Sequence, residues 1–290
     1  MIYLIIASVI WAFSFGLIKT QLTTLDSDLV AFIRLLISLF IFLPLLRIKN
    51  LPAKFILKLI CTGLIQYGLM YMTYIASFKY LPAYQVALFT IFTPLYVCII
   101  YDILEKRFNR RFLFAAVLAV TGTAILVYKD LNISAALAGI GLLQISNLSF
   151  AFGQVYYTRI MKNEKQQADY QIFGLLYLGA VLVTGISSGI TVNWSEISIS
   201  SNQWLALIYL GVLPSGICFF LWNAGARKTS AGNLAVMNNA KIPLAIFVSV
   251  IFFNESAAWP KLIMGILLFM AALYIAHTYS LKPYSKNAQS

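Results

Sequence analysis

The sequence is poor in charge, and above all in acidic residues. Only 10% of its 290 residues are charged, and it holds nine Asp and Glu, one His and three Cys. The lone histidine and the scattered cysteines form no cluster with the spacing of metal ligands, so we expect neither a metal site nor a disulfide framework. Membrane enzymes need groups of titratable residues near one interface. The sequence offers no such group, and we expect no catalytic residue, cofactor or enzymatic activity.

Long polar segments are absent as well. Ten apolar stretches fill the chain, and the segments between them are no longer than about a dozen residues, too short for an extramembrane catalytic or nucleotide-binding domain. A Walker motif is also missing, which excludes ATP-driven pumping by this chain alone. Hydrophobic residues make up 61% of the chain, more than a soluble core of this length can bury. The sequence therefore predicts an all-α integral membrane protein.

Most of the ten stretches are close to the ~20 residues that a helix needs to cross the bilayer. They cover residues 2–18, 29–46, 59–78, 83–101, 112–128, 138–158, 170–190, 203–223, 232–253 and 262–280. Fifteen of the 21 Lys and Arg lie in loops and the tail of one side, four lie on the opposite side, and Arg34 and Lys241 lie inside stretches. Cytoplasmic loops are rich in Lys and Arg, so we predict that both termini are cytoplasmic. The net charge of +12 then reflects orientation and contact with anionic lipid rather than nucleic-acid binding.

The chain contains an internal repeat. Residues 63–68 (GLIQYG) in the third stretch and 211–216 (GVLPSG) in the eighth share their glycine spacing. Carried forward with a gap of one residue, the same register places Pro94 opposite Pro243. We therefore predict two homologous halves of five helices each; the alternative is chance similarity between apolar helices.

Because five is an odd number, the second half enters the membrane from the side opposite to the first. We therefore predict two inverted five-helix repeats, residues 1–130 and 131–281, followed by a cytoplasmic tail at 282–290. Many secondary transporters use such repeats to open alternately to either face around a site at the repeat interface.

The most distinctive motifs occur in both halves. They are residues 7–15 (ASVIWAFSF), 76–82 (ASFKYLP) with Pro94 and Glu105, and 239–243 (NAKIP) with 253–255 (FNE). Together with the repeat, they resemble the EamA family of the drug/metabolite transporter superfamily over nearly the whole chain, and most of all its carboxylate, amino acid and amine branch. The resemblance implies ten helices in two repeats. It also implies a multi-pass inner-membrane transporter of small metabolites, commonly an exporter, with the solute in a central cavity.

Lys241 is the foremost candidate for contact with a solute. It lies about nine residues into the ninth stretch, ~13 Å deep and near the bilayer midplane. A lysine at that depth costs ~2.5–3.5 kcal/mol and has to face a partner, water or a bound anion. All nine carboxylates lie in predicted loops or at helix ends. We interpret Lys241 as the counter-charge for a substrate carboxylate; the alternative is a lysine hydrogen-bonded to backbone carbonyls of a kinked helix.

Other candidates come from prolines and from polar or aromatic residues within the stretches. Pro94 and Pro243 each free the carbonyl four residues earlier, so we expect kinks there, either as hinges for alternating access or as packing features. Arg34 lies about five residues inside the second stretch, where snorkelling outward is favoured over solute contact. The residues expected around the solute are Lys241, Asn239, Asn238, Trp11, Tyr71, Tyr74, Gln154, Tyr157, Trp222 and Thr90.

These features favour a secondary transporter that works by alternating access, as export or exchange. The favoured solute is a small organic molecule bearing a carboxylate, such as an amino acid or a related metabolite. A larger metabolite such as a nucleotide derivative is the alternative within transport, and a channel is the alternative from another class. The expected partners are the solute and the lipid bilayer, with no nucleic acid, and the protein is expected to be a monomer or a homodimer.

Overall fold

The part of the chain that the structure describes is helical and contains no strand, which confirms the all-α prediction. This computed structural model describes residues 1–49, 51–81, 86, 89–106, 108–127, 137–162, 164, 168–242, 244 and 259–280. The main helices are α1 (Ile2–Gln21), α2 (Ser27–Phe42, extended by a 3-10 turn at Leu43–Leu45), α3 (Ala53–Ser77), α4 (Thr93–Glu105), α5 (Arg110–Val127), α6 (Leu137–Met161), α7 (Asp169–Thr191), α8 (Ser201–Ala226), α9 (Ala231–Met237) and α10 (Trp259–Ser280). A short 3-10 turn, Trp194–Glu196, precedes α8.

Polar caps set where several of these helices begin. The Asp26 side chain accepts a hydrogen bond from the backbone of Asp28 at the start of α2, and Ser200 forms a capping box with Gln203 at the start of α8. At the start of α9, the Ser230 side chain accepts a hydrogen bond from the backbone of Asn233. Each cap lies in a predicted loop. The sequence therefore places these three helix starts within a few residues of where they are found.

Four of the described helices are long and apolar enough to cross a membrane by length and composition. They are Ser27–Leu45, Ala53–Ser77, Asp169–Thr191 and Ser201–Ala226. Shorter apolar helical segments occur at Ile2–Ser14 and Ile263–Thr278. The count of ten spans and the cytoplasmic position of both termini stay predictions.

The two sequences that indicate the repeat share an unusual backbone. Leu64–Leu69 in α3 and Gly211–Ile217 in α8 both form π-helical segments, with the wider i→i+5 hydrogen-bond pattern. Pro214 lies inside the second segment. Segments of this kind are rare and occur frequently at functional sites. The two segments of the predicted repeat therefore adopt the same local distortion.

The fourth and ninth stretches, which the sequence predicts as single spans, are interrupted. The chain turns at residues 91–92 before α4, and at 238–240 after α9. Pro94 occupies the first turn of α4, where its missing N–H leaves no helical hydrogen bond unmade. The predicted kink at Pro94 is thus a helix start. Pro243 lies outside the described residues.

Helices of the two halves interlock in the centre of the bundle. In the described structure, α1 packs against α8, α2 against α7 and α8, and α3 against α6 and α7. Helix α4 contacts α6 and α9, while α5 packs against α10. A candidate site lies where α1, α2, α3, α6 and α8 surround the two interruptions.

Candidate substrate site

A cavity of about 80 Å³ lies at this meeting point of the two halves. Arg34 and Lys241 are the cations of its wall, and no acidic residue is among the described residues that line it. Hydroxyl and amide groups reach it from Ser14, Thr90, Thr93, Ser146 and Asn147. The wall therefore carries positive charge that no carboxylate of the described lining neutralises.

Arg34 is held in a fixed position in this wall. Its residue is 2% exposed, and Nε and Nη2 donate to the Ser215 hydroxyl over 3.2 and 3.0 Å. Nη2 also donates to the Tyr71 hydroxyl over 2.7 Å, and the guanidinium carbon lies 4.5 Å from the centre of the Tyr71 ring. The expectation that Arg34 snorkels outward is wrong. The two hydroxyls take the place of the water that the guanidinium would otherwise seek at the surface.

Lys241 approaches the cavity from the second half. Its Nζ lies 5.7 Å from the centre of the Trp11 ring, within the range of a cation–π interaction. The Trp11 indole N–H donates to the Pro214 carbonyl over 2.9 Å, which fixes the ring against the cavity. Neither ion pair among the described residues involves Lys241. The deep lysine that the sequence singles out is thus brought to the cavity without an acidic partner in the described structure.

Aromatic rings surround Trp11 beside the cavity. The ring centres of Phe150, Phe219 and Trp222 lie 6.0, 5.4 and 5.0 Å from the Trp11 ring. Phe150 and Phe219 also line the cavity, and Tyr71 packs against Phe219 with ring centres 5.6 Å apart. An apolar aromatic surface beside two cations suits a solute that has an apolar body and an anionic end.

Polar side chains satisfy the backbone that the interruptions expose. The Thr93 hydroxyl donates over 2.8 Å to the Thr90 carbonyl, which in a continuous helix would accept from the N–H that Pro94 lacks. Asn239 donates through Nδ2 to the Ile91 carbonyl over 3.1 Å, so the two interruptions are joined. Thr90 and Thr93 line the cavity, whereas Asn239 lies outside its lining. Irregular backbone is tolerated at membrane depth where it lines a cavity or packs on protein, and both conditions hold here.

A hydrogen-bonded group of three side chains adjoins the cavity. We call it the amide layer and define it as Gln154 of α6, Trp222 of α8 and Asn238 beside α9. Gln154 Oε1 accepts from the Trp222 indole over 2.8 Å and from Asn238 Nδ2 over 3.1 Å, while Gln154 Nε2 donates to Asn238 Oδ1 over 3.3 Å. All three residues are buried. Their polar atoms therefore satisfy one another, and the side chains do not line the cavity.

The amide layer lies between the central cavity and a second, larger one, which we call the inner vestibule. The inner vestibule has a volume of about 470 Å³, and Arg159, Lys162, Arg227 and Glu105 are among its lining residues. Along the chain, each residue of the layer has a residue of the central cavity three or four positions to one side and a residue of the inner vestibule four positions to the other. Written in the order central cavity, layer and inner vestibule, the three sets are Phe150, Gln154 and Thr158; Phe219, Trp222 and Ala226; and Lys241, Asn238 and Leu234. In the predicted orientation the inner vestibule faces the cytoplasm.

Tyr157 belongs to an ion-pair network beyond the amide layer. Its hydroxyl donates to Asp169 Oδ1, and Arg227 Nη1 donates to the same oxygen over 2.7 Å. Arg227 Nη2 also donates to the Met161 carbonyl over 3.2 Å. The network links the adjacent ends of α6, α7 and α8. Tyr157 therefore fastens helix ends together and does not reach the central cavity.

The structure brings half of the predicted solute-binding residues to the cavity. Those that line it are Lys241, Trp11, Tyr71, Tyr74 and Thr90. Those placed outside its lining are Gln154, Trp222, Asn238, Asn239 and Tyr157. Arg34 is the main residue that the sequence interpretation undervalued. Its signal was an ionisable side chain within an apolar stretch, which marks a functional position by default.

The sequence matches proteins that move solutes. The EamA-like transporter family matches residues 1–128 and 137–277. Proteins named biotin transporter from Salmonella typhimurium strain LT2 and Escherichia coli strain K12 are each 36% identical over 277 residues, which is 95% of this chain and 92% of theirs. A probable biotin transporter of Pseudomonas aeruginosa is 35% identical over 275 residues, which is 94% of this chain and 96% of its own.

A solved crystal structure has the same fold. It aligns with a TM-score of 0.77 over 97% of this chain and 98% of its own length, at 14% sequence identity. Sequence identity this low shows only that the fold is shared. The family match and the named relatives confirm the resemblance to the drug/metabolite transporter superfamily, and they are transporters rather than enzymes. This chain therefore belongs to the EamA-like transporter family and is a multi-pass protein of the inner membrane.

Proposed function

We propose that this protein transports biotin, or a closely related cyclic monocarboxylate, across the inner membrane by alternating access. The carrying observation is the cavity wall, where Arg34 and Lys241 place two positive charges beside aromatic rings with no acid among the described lining residues. A carboxylate binds such cations through charge-assisted hydrogen bonds. The relatives named for biotin support the same solute, because the side chain of biotin ends in a carboxylate.

The remaining wall suits the other parts of biotin. Its apolar chain and sulfur ring would pack on Trp11, Phe150 and Phe219, which line the cavity. Its cyclic urea both donates and accepts hydrogen bonds, and Ser146 and Asn147 place a hydroxyl and an amide on the same surface. Apolar lining with a few polar groups is the usual composition of a small-molecule site.

The size of the cavity bears on the state of the transport cycle. Sites that hold small molecules usually measure ~300–1,000 Å³. The cavity here measures about 80 Å³, so we infer a contracted state that must widen before a molecule of this size enters. The irregular backbone at the two interruptions would accommodate such a movement.

An amino acid, the solute class that the sequence favours, fits this site less well. Its ammonium group would meet Arg34 and Lys241 with no acid among the described residues of the wall. Like charges in one small site repel each other, and burying an ammonium without a partner is costly. The relatives named for biotin give no support to an amino acid or a nucleotide derivative. Export or exchange, and a monomeric or dimeric state, stay predictions.

The proposal is tested with purified protein in lipid vesicles. We expect saturable uptake of labelled biotin. When the vesicles are loaded with unlabelled biotin, we also expect counterflow of the label, because a carrier exchanges solute across the membrane whereas a channel does not concentrate it. Biotin at about 100 times its Kd should also stabilise the detergent-solubilised protein by ~2.7 kcal/mol. Uptake no faster than in protein-free vesicles, without thermal stabilisation by biotin, would reject biotin as the solute. Uptake without counterflow would favour a channel.

Pro94→Ala is expected to slow biotin transport more than it weakens biotin binding. The substitution restores an N–H beside the Thr90 carbonyl that the Thr93 hydroxyl now satisfies, and it favours a continuous helix over the interruption. A hinge governs interconversion of states, whereas the cavity governs affinity. The measurement compares the Kd of biotin with its turnover in vesicles, for wild type and for Pro94→Ala. Pro52→Ala, at the exposed N-cap of α3, serves as the matched control. Equal losses of binding and turnover in a folded Pro94→Ala protein would argue against the hinge.

A further inference from the structure

We infer that Arg34 recognises the carboxylate of the substrate, with Nη1 as the donor; this inference rests on the proposed function. Nη1 is buried and has no hydrogen-bond partner in the described structure, although Nε and Nη2 are both engaged. Arg34 belongs to the cavity lining. A buried guanidinium N–H without a hydrogen-bond partner is costly. A carboxylate oxygen that binds there gains a charge-assisted hydrogen bond at a position from which water is already excluded.

The neighbours of Arg34 prepare it for this role. Ser215 and Tyr71 hold two of its three nitrogens from two different helices, and the Tyr71 ring lies 4.5 Å from the guanidinium carbon. The Tyr71 and Ser215 hydroxyls are also hydrogen-bonded to each other over 3.0 Å. The guanidinium therefore cannot turn freely, and little rotamer entropy remains to be lost when a substrate binds. A pre-organised cation binds more tightly than a flexible one for this reason.

The two cations of the cavity come from opposite halves of the chain. Arg34 lies on α2 of the first half, and Lys241 lies beyond α9 in the second. Both residues line the same cavity. A carboxylate bound at Arg34 would offset part of the positive charge of this wall. A neutral analogue lacks this effect and should bind weakly even where its shape fits.

The competing explanation is that Arg34 is a structural link between α2, α3 and α8. A structural link would affect every ligand alike, whereas a carboxylate anchor affects only ligands that carry the charge. The discriminating quantity is therefore the ratio of the Kd of biotin amide to the Kd of biotin. General loosening of the fold leaves that ratio unchanged.

The experiment measures both constants by calorimetry on the purified full-length protein. We expect wild type to bind biotin at least about 30-fold more tightly than biotin amide, the low end for a desolvated charge pair. In Arg34→Gln the ratio should fall at least about tenfold below that of wild type, through loss of biotin affinity and not gain of amide affinity, and Lys241 accounts for the preference that remains. Lys54→Gln, which removes an exposed cation at the start of α3, should keep the wild-type ratio.

A second variant protects the test if Arg34→Gln does not fold. Tyr71→Phe keeps the ring under the guanidinium and removes one oriented hydrogen bond, so the ratio should drop by about two- to tenfold while amide binding holds. A full wild-type ratio in either folded variant would overturn the inference and leave biotin transport intact. If wild type does not bind biotin, the proposed function is overturned. The role of Arg34 in holding biotin is then overturned as well.

Discussion

Lys241→Ala is expected to abolish biotin transport at ordinary substrate concentrations. Lys241 lines the cavity and has no carboxylate partner in the described structure, so a bound anion is the group that its ammonium would pair with. Removing one member of a desolvated charge pair costs ~2–5 kcal/mol, or roughly 30- to 5,000-fold in affinity. Lys241→Arg should retain part of the activity, because it keeps the charge with different geometry.

The stability of the empty protein should not fall with the same substitution. Deleting a desolvated cation removes a burial cost, and the Trp11 contact at 5.7 Å offsets only part of that cost. We therefore expect Lys241→Ala without ligand to melt no lower than wild type in detergent. Lys79→Ala, which removes a half-exposed cation 3.9 Å from Asp26, is the control and should transport normally. A Lys241→Ala protein that melts well below wild type yet transports normally would mean that Lys241 is structural.

Gly63→Ala is expected to prevent stable packing of α3 against α7. A Cβ at Gly63 would lie 1.8 Å from the Leu176 carbonyl oxygen and 2.4 Å from the Leu176 Cα, both of them backbone atoms. Gly179 makes the reciprocal approach, with its Cβ position 1.9 Å from the Ile60 oxygen. Two helix backbones cannot yield as a side chain does, so the helices would have to separate. We expect a loss of at least about 3 kcal/mol, seen as aggregation during size-exclusion chromatography or a much lower Tm.

Two other glycines provide matched controls for this prediction. Gly211 holds the position that the shared glycine spacing matches to Gly63, but the nearest atom to a Cβ there is the Ile37 Cβ at 2.8 Å, so α2 would have to shift by less than α7 must at Gly63. Gly211→Ala should therefore destabilise less than Gly63→Ala. Gly141→Ala on α6 has nothing within 4 Å and should leave the Tm near that of wild type. Equal melting of Gly63→Ala and Gly141→Ala would show that α3 and α7 are not closely packed in the membrane.

The sequence by itself determined the features that depend on neighbouring residues along the chain. Apolar stretches predict membrane helices because hydrophobic length is a local property, and caps such as Ser200 and Ser230 mark where helices begin. The shared glycine spacing of 63–68 and 211–216 predicts a repeat, and both segments adopt a π-helical backbone. The depth of Lys241 singled it out because ionisable residues rarely occur within apolar stretches.

Only the tertiary structure decided which polar side chains face the cavity. Gln154, Trp222 and Asn238 are as polar as the residues of the wall, but they satisfy one another across three helices. Arg34 lies inside because Ser215, far away in sequence, receives its hydrogen bonds. The rotation of each helix and the partners available on its neighbours set these outcomes. Neither the rotation of a helix nor the identity of its neighbours can be derived from the local sequence, since both follow from how the helices pack together.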